Sequence, residues 1–355
     1  MPRKIRFDGI WLSRFLFLTA VAGASTADHG DAKSFAVSGS LAVELQADAT
    51  IQSDDSGEEL TDVRQKTEAG LTLSLPHGFS LGGLAVFESV RDARPNEDRY
   101  FDDNGLYIQE LFLEWQGGRF GVKAGKFGQN FGTAWDSASG IWGTDFAEDY
   151  EIAEQIGFGG SMSGDAGFFG KAAISASTFF SDRTILAESA FAGRGAVSLA
   201  DGGPGNTDGF QSFAVALDTE AKDFSIHAAW LHRGSGEAGK VAENGAVLGV
   251  RGKAALGNIE IAPLLEIAHL TDREGTPGDT GLYVTVATEF SWRDFSLALS
   301  HTDRRLNSVD DALYQVSAGY GLPFGFSVQA GYRAQRVSGI DSETFGALIG
   351  WATEF

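Results

Sequence analysis

Residues 259–299 read IEIAPLLEIAHLTDREGTPGDTGLYVTVATEFSWRDFSLAL, and this stretch decides the fold. Ile259, Ile261, Leu265 and Ile267 alternate with Glu260 and Glu266. Further on, Leu282, Val284 and Val286 alternate with Tyr283, Thr285 and Glu289. A period of two places the two sets on opposite faces of an extended strand. The polar stretch 271–280 parts the first two strands. Only Trp292 to Asp294 part the second from the third, which opens on Phe295. Long and short connections therefore alternate.

The same pattern runs through most of the chain. Phe35, Val37, Leu41, Val43 and Leu45 oppose Ser38, Ser40, Glu44 and Gln46, and Phe326, Val328, Ala330 and Tyr332 oppose Ser327, Gln329 and Arg333. Tight connections fall at 76–78, 117–118, 164–165, 220–223, 256–258, 292–294 and 321–325. Longer polar ones fall near 51–62, 91–105, 128–153, 181–208, 232–244, 271–280, 302–311 and 336–341. Seven turns and eight loops join sixteen strands, all antiparallel. An even strand number with short connections at one end and long ones at the other is the pattern of a transmembrane β-barrel. Strands leaving the tight turns begin with Phe79, Phe120, Phe168, Phe224, Ile259, Phe295 and Phe326. That is the aromatic girdle expected at a membrane boundary.

Hydrocarbon offers no partner to backbone N–H and C=O groups, so such a sheet has to close on itself. Sixteen strands leave a lumen too wide for side chains to fill, and water occupies it. The charges on the inner face, among them Glu44, Arg64, Lys66, Glu68, Glu88, Lys171, Arg251, Lys253, Glu260 and Arg333, then stay hydrated. Gly and Ser are frequent on that face, as expected where nothing needs packing.

Composition excludes other classes. With no Cys among 355 residues, disulfides, thiol catalysis and Cys-based zinc sites are ruled out. A net charge of −21 argues against nucleic-acid binding. Mean hydropathy of −0.09 does not fit a helical membrane protein. At the start, Arg3, Lys4 and Arg6 precede the apolar run Phe15 to Ala22, with small-residue cleavage sites after Ala24 or Ala27. This reads as a signal peptide over 1–24, followed by one domain over 28–355. Cleavage after Ala24 removes four basic residues and one acid from the total of −21, leaving a net charge of −24.

The last strand carries Phe345, Ala347, Ile349, Trp351, Thr353 and Phe355 on one face. Such a strand closing on Phe resembles the C-terminal strand of Gram-negative outer-membrane porins. The stretch 125–136, GKFGQNFGTAWD, is similar to the segment leading into the third loop of several porin groups, solute-selective ones included. The resemblance to sixteen-stranded porins implies a bacterial outer-membrane location, a homotrimer, lipid and lipopolysaccharide around the barrel, and Trp351 and Phe355 as part of a signal to the barrel-assembly machinery. It further implies a third loop folded toward the lumen, whose acids Asp136, Asp145, Glu148 and Asp149 face a basic wall of Arg64, Lys66, Arg119, Lys123 and Arg333. The open alternative is that these acids are solvated and the bases sit in unrelated pairs. Fixed charges at a narrow point set ionic selectivity.

Three functions follow. The first is passive diffusion of small hydrophilic solutes and ions. The second is a solute-selective porin for a siderophore, sugar or anion, with Phe131, Trp135 and Trp142 as a stacking surface. The third is an outer-membrane barrel enzyme, for which no nucleophile motif is present. No cofactor is implied. The acidic first and second loops (Asp54, Asp55, Glu58, Glu59; Glu97, Asp98, Asp102, Asp103) read either as Ca²⁺ or Mg²⁺ ligands bridging to lipopolysaccharide phosphates or as solvated acids. The six histidines follow no metal-binding spacing.

Overall fold

The computed structural model describes residues 35–195, 197–237 and 240–355. The expected signal peptide lies outside them. Sixteen strands form the wall. The first eight are β1 (Ala36–Ser53), β2 (Thr61–Ser74), β3 (Phe79–Ser89), β4 (Asn104–Gly117), β5 (Phe120–Phe127), β6 (Gln155–Asp165), β7 (Lys171–Ser181) and β8 (Ser212–Glu220). The others are β9 (Phe224–Arg233), β10 (Glu243–Gly252), β11 (Ile259–Thr271), β12 (Thr280–Trp292), β13 (Phe295–Leu306), β14 (Val309–Gly321), β15 (Phe326–Val337) and β16 (Ile340–Glu354). Each pairs antiparallel with its sequence neighbours, and β1 pairs with β16 in the register Leu41 to Thr353 and Leu45 to Ile349. The sheet is a closed barrel, which leaves no wall strand with a free long edge.

The period of two sets the faces. Leu71, Leu113, Val122, Ile174, Leu248, Leu297 and Ile349 point outward and are exposed. The opposite parity, including Glu266, Thr285 and Arg333, points inward. An outer surface this apolar is stable only against an apolar medium. Six of the seven residues expected to open strands after tight turns do so. Phe168 instead sits in the 3-10 turn Gly167–Phe169 before β7, its ring 5.6 Å from that of Phe224.

Two expected loops are not loops. β13 runs to Leu306 and β14 resumes at Val309, so only Asn307 (φ 55°) and Ser308 connect them. Ser338 (φ 52°) and Gly339 (φ 82°) likewise join β15 to β16. The charges that make 302–311 and 336–341 look like loops are cross-strand partners. Arg304 meets Asp311 at 2.7 Å, Arg305 meets Asp310, and Arg336 meets Asp341 at 2.6 Å. Opposite charges facing each other support a ladder as apolar pairs do.

The interior also differs from expectation. Inward-facing Phe179, Leu231, Leu270 and Tyr283, with the alanines at 214, 216, 229, 268 and 287, form one buried apolar cluster with Phe131, Ala134, Ala147, Tyr150 and Ile152. The small wall residues make room for the segment 128–153, so part of the inner wall is packed rather than wet.

The wall is uneven where that segment leaves it. β5 pairs with β4 only over Leu111–Gly117. Above that, Ala190 and Phe191 of the fourth loop pair with Leu106 and Gly105 of β4. Lys126, fully buried, holds Glu154 at 2.7 Å and Asp182 at 2.9 Å, and Arg194 binds Glu154 with both terminal nitrogens. A buried cation with two acidic partners avoids the cost of an unpaired charge.

Candidate functional site

The segment 128–153 meets the inner wall at two places. The first is its root. Gly132 (φ 81°) turns the chain so that its N–H donates to Nε2 of His227 over 3.1 Å. Nδ1 of His227 lies 2.8 Å from Asp218. With Nε2 accepting, the ring proton sits on Nδ1 and is donated to Asp218. Asn130 binds the other Asp218 oxygen at 2.8 Å.

The short helix Ala134–Ser137 follows. Thr133 does not cap it with its own side chain. Glu266 of β11 does so instead, accepting from Thr133 N, Thr133 Oγ1 and Ala134 N at 2.8, 2.8 and 2.9 Å. A carboxylate satisfies the orphan donors of a helix start. The same group accepts from Tyr150 OH at 2.8 Å, so one buried side chain gathers both limbs of the segment. Burial and the adjacent Glu266 raise the Tyr150 hydroxyl above its ordinary pKa, which keeps it a donor. Its ring packs edge-on against Phe131 and Tyr283.

The second place is the tip. Gln315 of β14 donates to Ser139 O at 2.7 Å, and Ile141 N–H donates to Ser317 Oγ at 3.1 Å. Trp142 Nε1–H donates to Asp48 of β1 at 3.3 Å. Asp145 binds Arg333 of β15 at 2.8 Å. Asp149 receives Arg304 of β13 at 2.9 Å and Tyr283 OH at 3.2 Å. Burial pushes the Asp145 carboxyl up to about 6, against the pull of Arg333 and Arg64. Its side chain keeps 31% of its exposure, so it still meets water.

Other residues singled out from the sequence lie as follows. Asp136 is in the short helix, and Glu148, near the tip, accepts from Thr144 at 2.9 Å. Of the five bases, Arg333 contacts an acid of the segment directly. Arg64 binds Asp48 and Asp62, both at 3.1 Å, so it shares Asp48 with Trp142. Lys66 pairs with Glu68 at 2.9 Å, and Lys123 lies 4.1 Å over the Phe112 ring. Arg119 lies beside the Gly117–Gly118 turn, over Phe120, at the end of the barrel that carries the tight turns. The stacking surface needs correction. Phe131 and Trp142 are fully buried and present no free ring face. Trp135 is partly buried, its Nε1–H donating to the carbonyls of Phe131 and Gly132. Trp351 donates to Phe324 O at 3.1 Å, and the Phe355 backbone pairs with Gly39.

Sequence reading missed several contributors, Asp48, Gln315 and Ser317 among them. Arg304 fell in a stretch read as loop. His227, Asp218 and Glu266 have inward parity beside small apolar neighbours, which was the available signal. In the acidic loops, Asp55 accepts from Gly57 N–H, Glu59 from Ser53 N–H and Asp98 from Thr61 N–H. Among the described residues, no group of three or more His, Asp or Glu is placed to hold a metal ion.

No family model and no curated protein matches the sequence. Solved structures do match in shape. Pseudomonas putida OprB superposes with a TM-score of 0.63 at 8% identity, over 90% of this chain and 94% of that one. The outer-membrane channel DcaP of Acinetobacter baumannii gives 0.57 at 11%, over 90% and 97%. Pseudomonas aeruginosa OpdK, solved with vanillate, gives 0.54 at 8%, over 90% and 99%. This chain, a sixteen-stranded barrel, therefore shares its fold with outer-membrane channels.

Proposed function

We propose that this protein is an outer-membrane porin, a water-filled channel through which small hydrophilic solutes and ions diffuse passively. The carrying observation is the inverted barrel, apolar outside and charged within, crossed by a segment tied to its wall. The narrowest passage lies beside the tip, where Asp145, Glu148 and Asp149 face water near Arg333, Arg304 and Arg64. Charges so placed bias permeation by sign. The acids, with Glu68 and Glu88 on the inner wall, favour cations. Burial of Phe131 and Trp142 supports general diffusion over a stacking site for one solute. Export through residues 1–24, insertion by the barrel-assembly machinery and assembly as a trimer belong to the same reading.

Purified protein in planar bilayers tests it. Discrete ohmic steps are expected, with a reversal potential in a KCl gradient of the sign that marks cation preference. A folded protein that inserts without conducting would overturn the reading.

A further inference from the structure

Trp142 is the largest aromatic at the tip, where Phe146 packs beneath Arg304, and it is fully buried although it sits mid-way along a long connection. Its place is a slot in the wall. Gly331 of β15 and Gly346 of β16 are directly paired across the two strands. A Cβ on Gly346 would come within 2.3 Å of the indole, and one on Gly331 within 3.0 Å. Neither glycine has positive φ, so the backbone does not require glycine at either position. Glycine inside a strand weakens it and marks close approach of another group. Here that group is the indole. The same ring lies 5.2 Å beneath the Arg333 guanidinium, which holds Asp145 three residues further on. Its N–H reaches Asp48, which also binds Arg64. One side chain thus ties the tip to two cations of the wall.

We propose that Trp142, seated in the Gly331–Gly346 slot, is the positioning residue that fixes the free cross-section of the lumen. The indole is a plug in the wall, not a contact for solute. With it in place the tip lies flat and the passage keeps one width. Without it the tip keeps its Ser139, Ile141, Asp145 and Asp149 contacts but loses its seat in the wall, and it shifts within the lumen. This rests on the porin reading.

The test compares Trp142→Ala, Trp142→Phe and Gly346→Val in bilayers, with heat-resistant migration in detergent as the measure of an intact barrel. Trp142→Ala removes the plug and Gly346→Val fills the slot. Both are expected to raise unitary conductance, or its open-channel noise, by about 1.5-fold or more and to admit larger neutral polymers. Trp142→Phe keeps the ring and stays near wild type. Because the chain has no cysteine, an Ile141→Cys/Ser317→Cys pair added to Trp142→Ala forms a disulfide only where intended. Oxidation is expected to restore the wild-type conductance and reduction to release it. Intact barrels with unchanged conductance, noise and polymer limit would overturn the proposal. So would failure of every slot variant to form a heat-resistant barrel, since the role would then be structural. A wild-type protein that does not conduct overturns the porin reading instead.

Discussion

The two ends of the segment 128–153 are held by different physics. At the root, Phe131, Tyr150 and Ile152 pack in an apolar cluster, and a single carboxylate, Glu266, satisfies four donors out of water. At the tip, beside one plugged indole and two hydrogen bonds to β14, the acids are held in ion pairs whose members keep part of their exposure. Dry contacts are expensive to break because each leaves a polar group unsatisfied. Wet ion pairs contribute little to stability but fix where charge stands. The root therefore places the segment, and the proposed channel function falls to the tip.

Breaking the root should have the largest effect. Glu266→Ala strands two backbone and two hydroxyl donors, and at about 1–3 kcal/mol for each buried unsatisfied group the root is expected to detach. Limited proteolysis within 128–153 would report it, with Glu266→Gln intermediate; equal resistance of all three proteins would erase the distinction between the ends. Next come the charges. Asp145→Asn is expected to lower the cation-to-anion permeability ratio about two-fold, and Arg333→Gln to raise it by a similar factor, with the heat-resistant barrel unchanged. Reversal potentials check both.

A pH series sharpens the contrast. Asp145 has a raised pKa of about 6, so its charge is present above that pH and lost as the pH falls through it. Cation preference should drop between pH 7 and pH 5 in the wild type. Asp145→Asn should show no step in that window, and a step of the same size in the variant would assign the titration to another group. The smallest effect is expected for Glu148→Gln. Glu148 sits at the wet edge bonded to Thr144, so its permeability shift should be well below that of Asp145→Asn and should vanish at high salt.

The barrel was legible because a period of two survives in almost every strand and the turns carry their own residue signature. Two hairpins were misread because polarity was taken as a sign of loop. Arg304 with Asp311 and Arg336 with Asp341 are polar yet paired, and only the partner strand reveals it. Of the candidate site, the acids of the third connection could be named from their crowding among aromatics. Arg333 was named among five candidate bases, but the other partners could not be, because Arg304 and Asp48 lie 155 and 94 residues away from Asp149 and Trp142. The aromatics were misassigned for the same reason: a Trp facing solute and a Trp facing two distant glycines look alike in one dimension.

The seam in the wall above β5 has a consequence for inheritance. Ala190 and Phe191 patch the edge of β4, while Lys126, Glu154, Asp182 and Arg194 rivet the patch in place. The third and fourth connections are thus one module, although they are separated in the chain by two strands. A chimaera that imports either one alone brings a mismatched fastening to a breach in the cylinder. Natural variants should exchange them together.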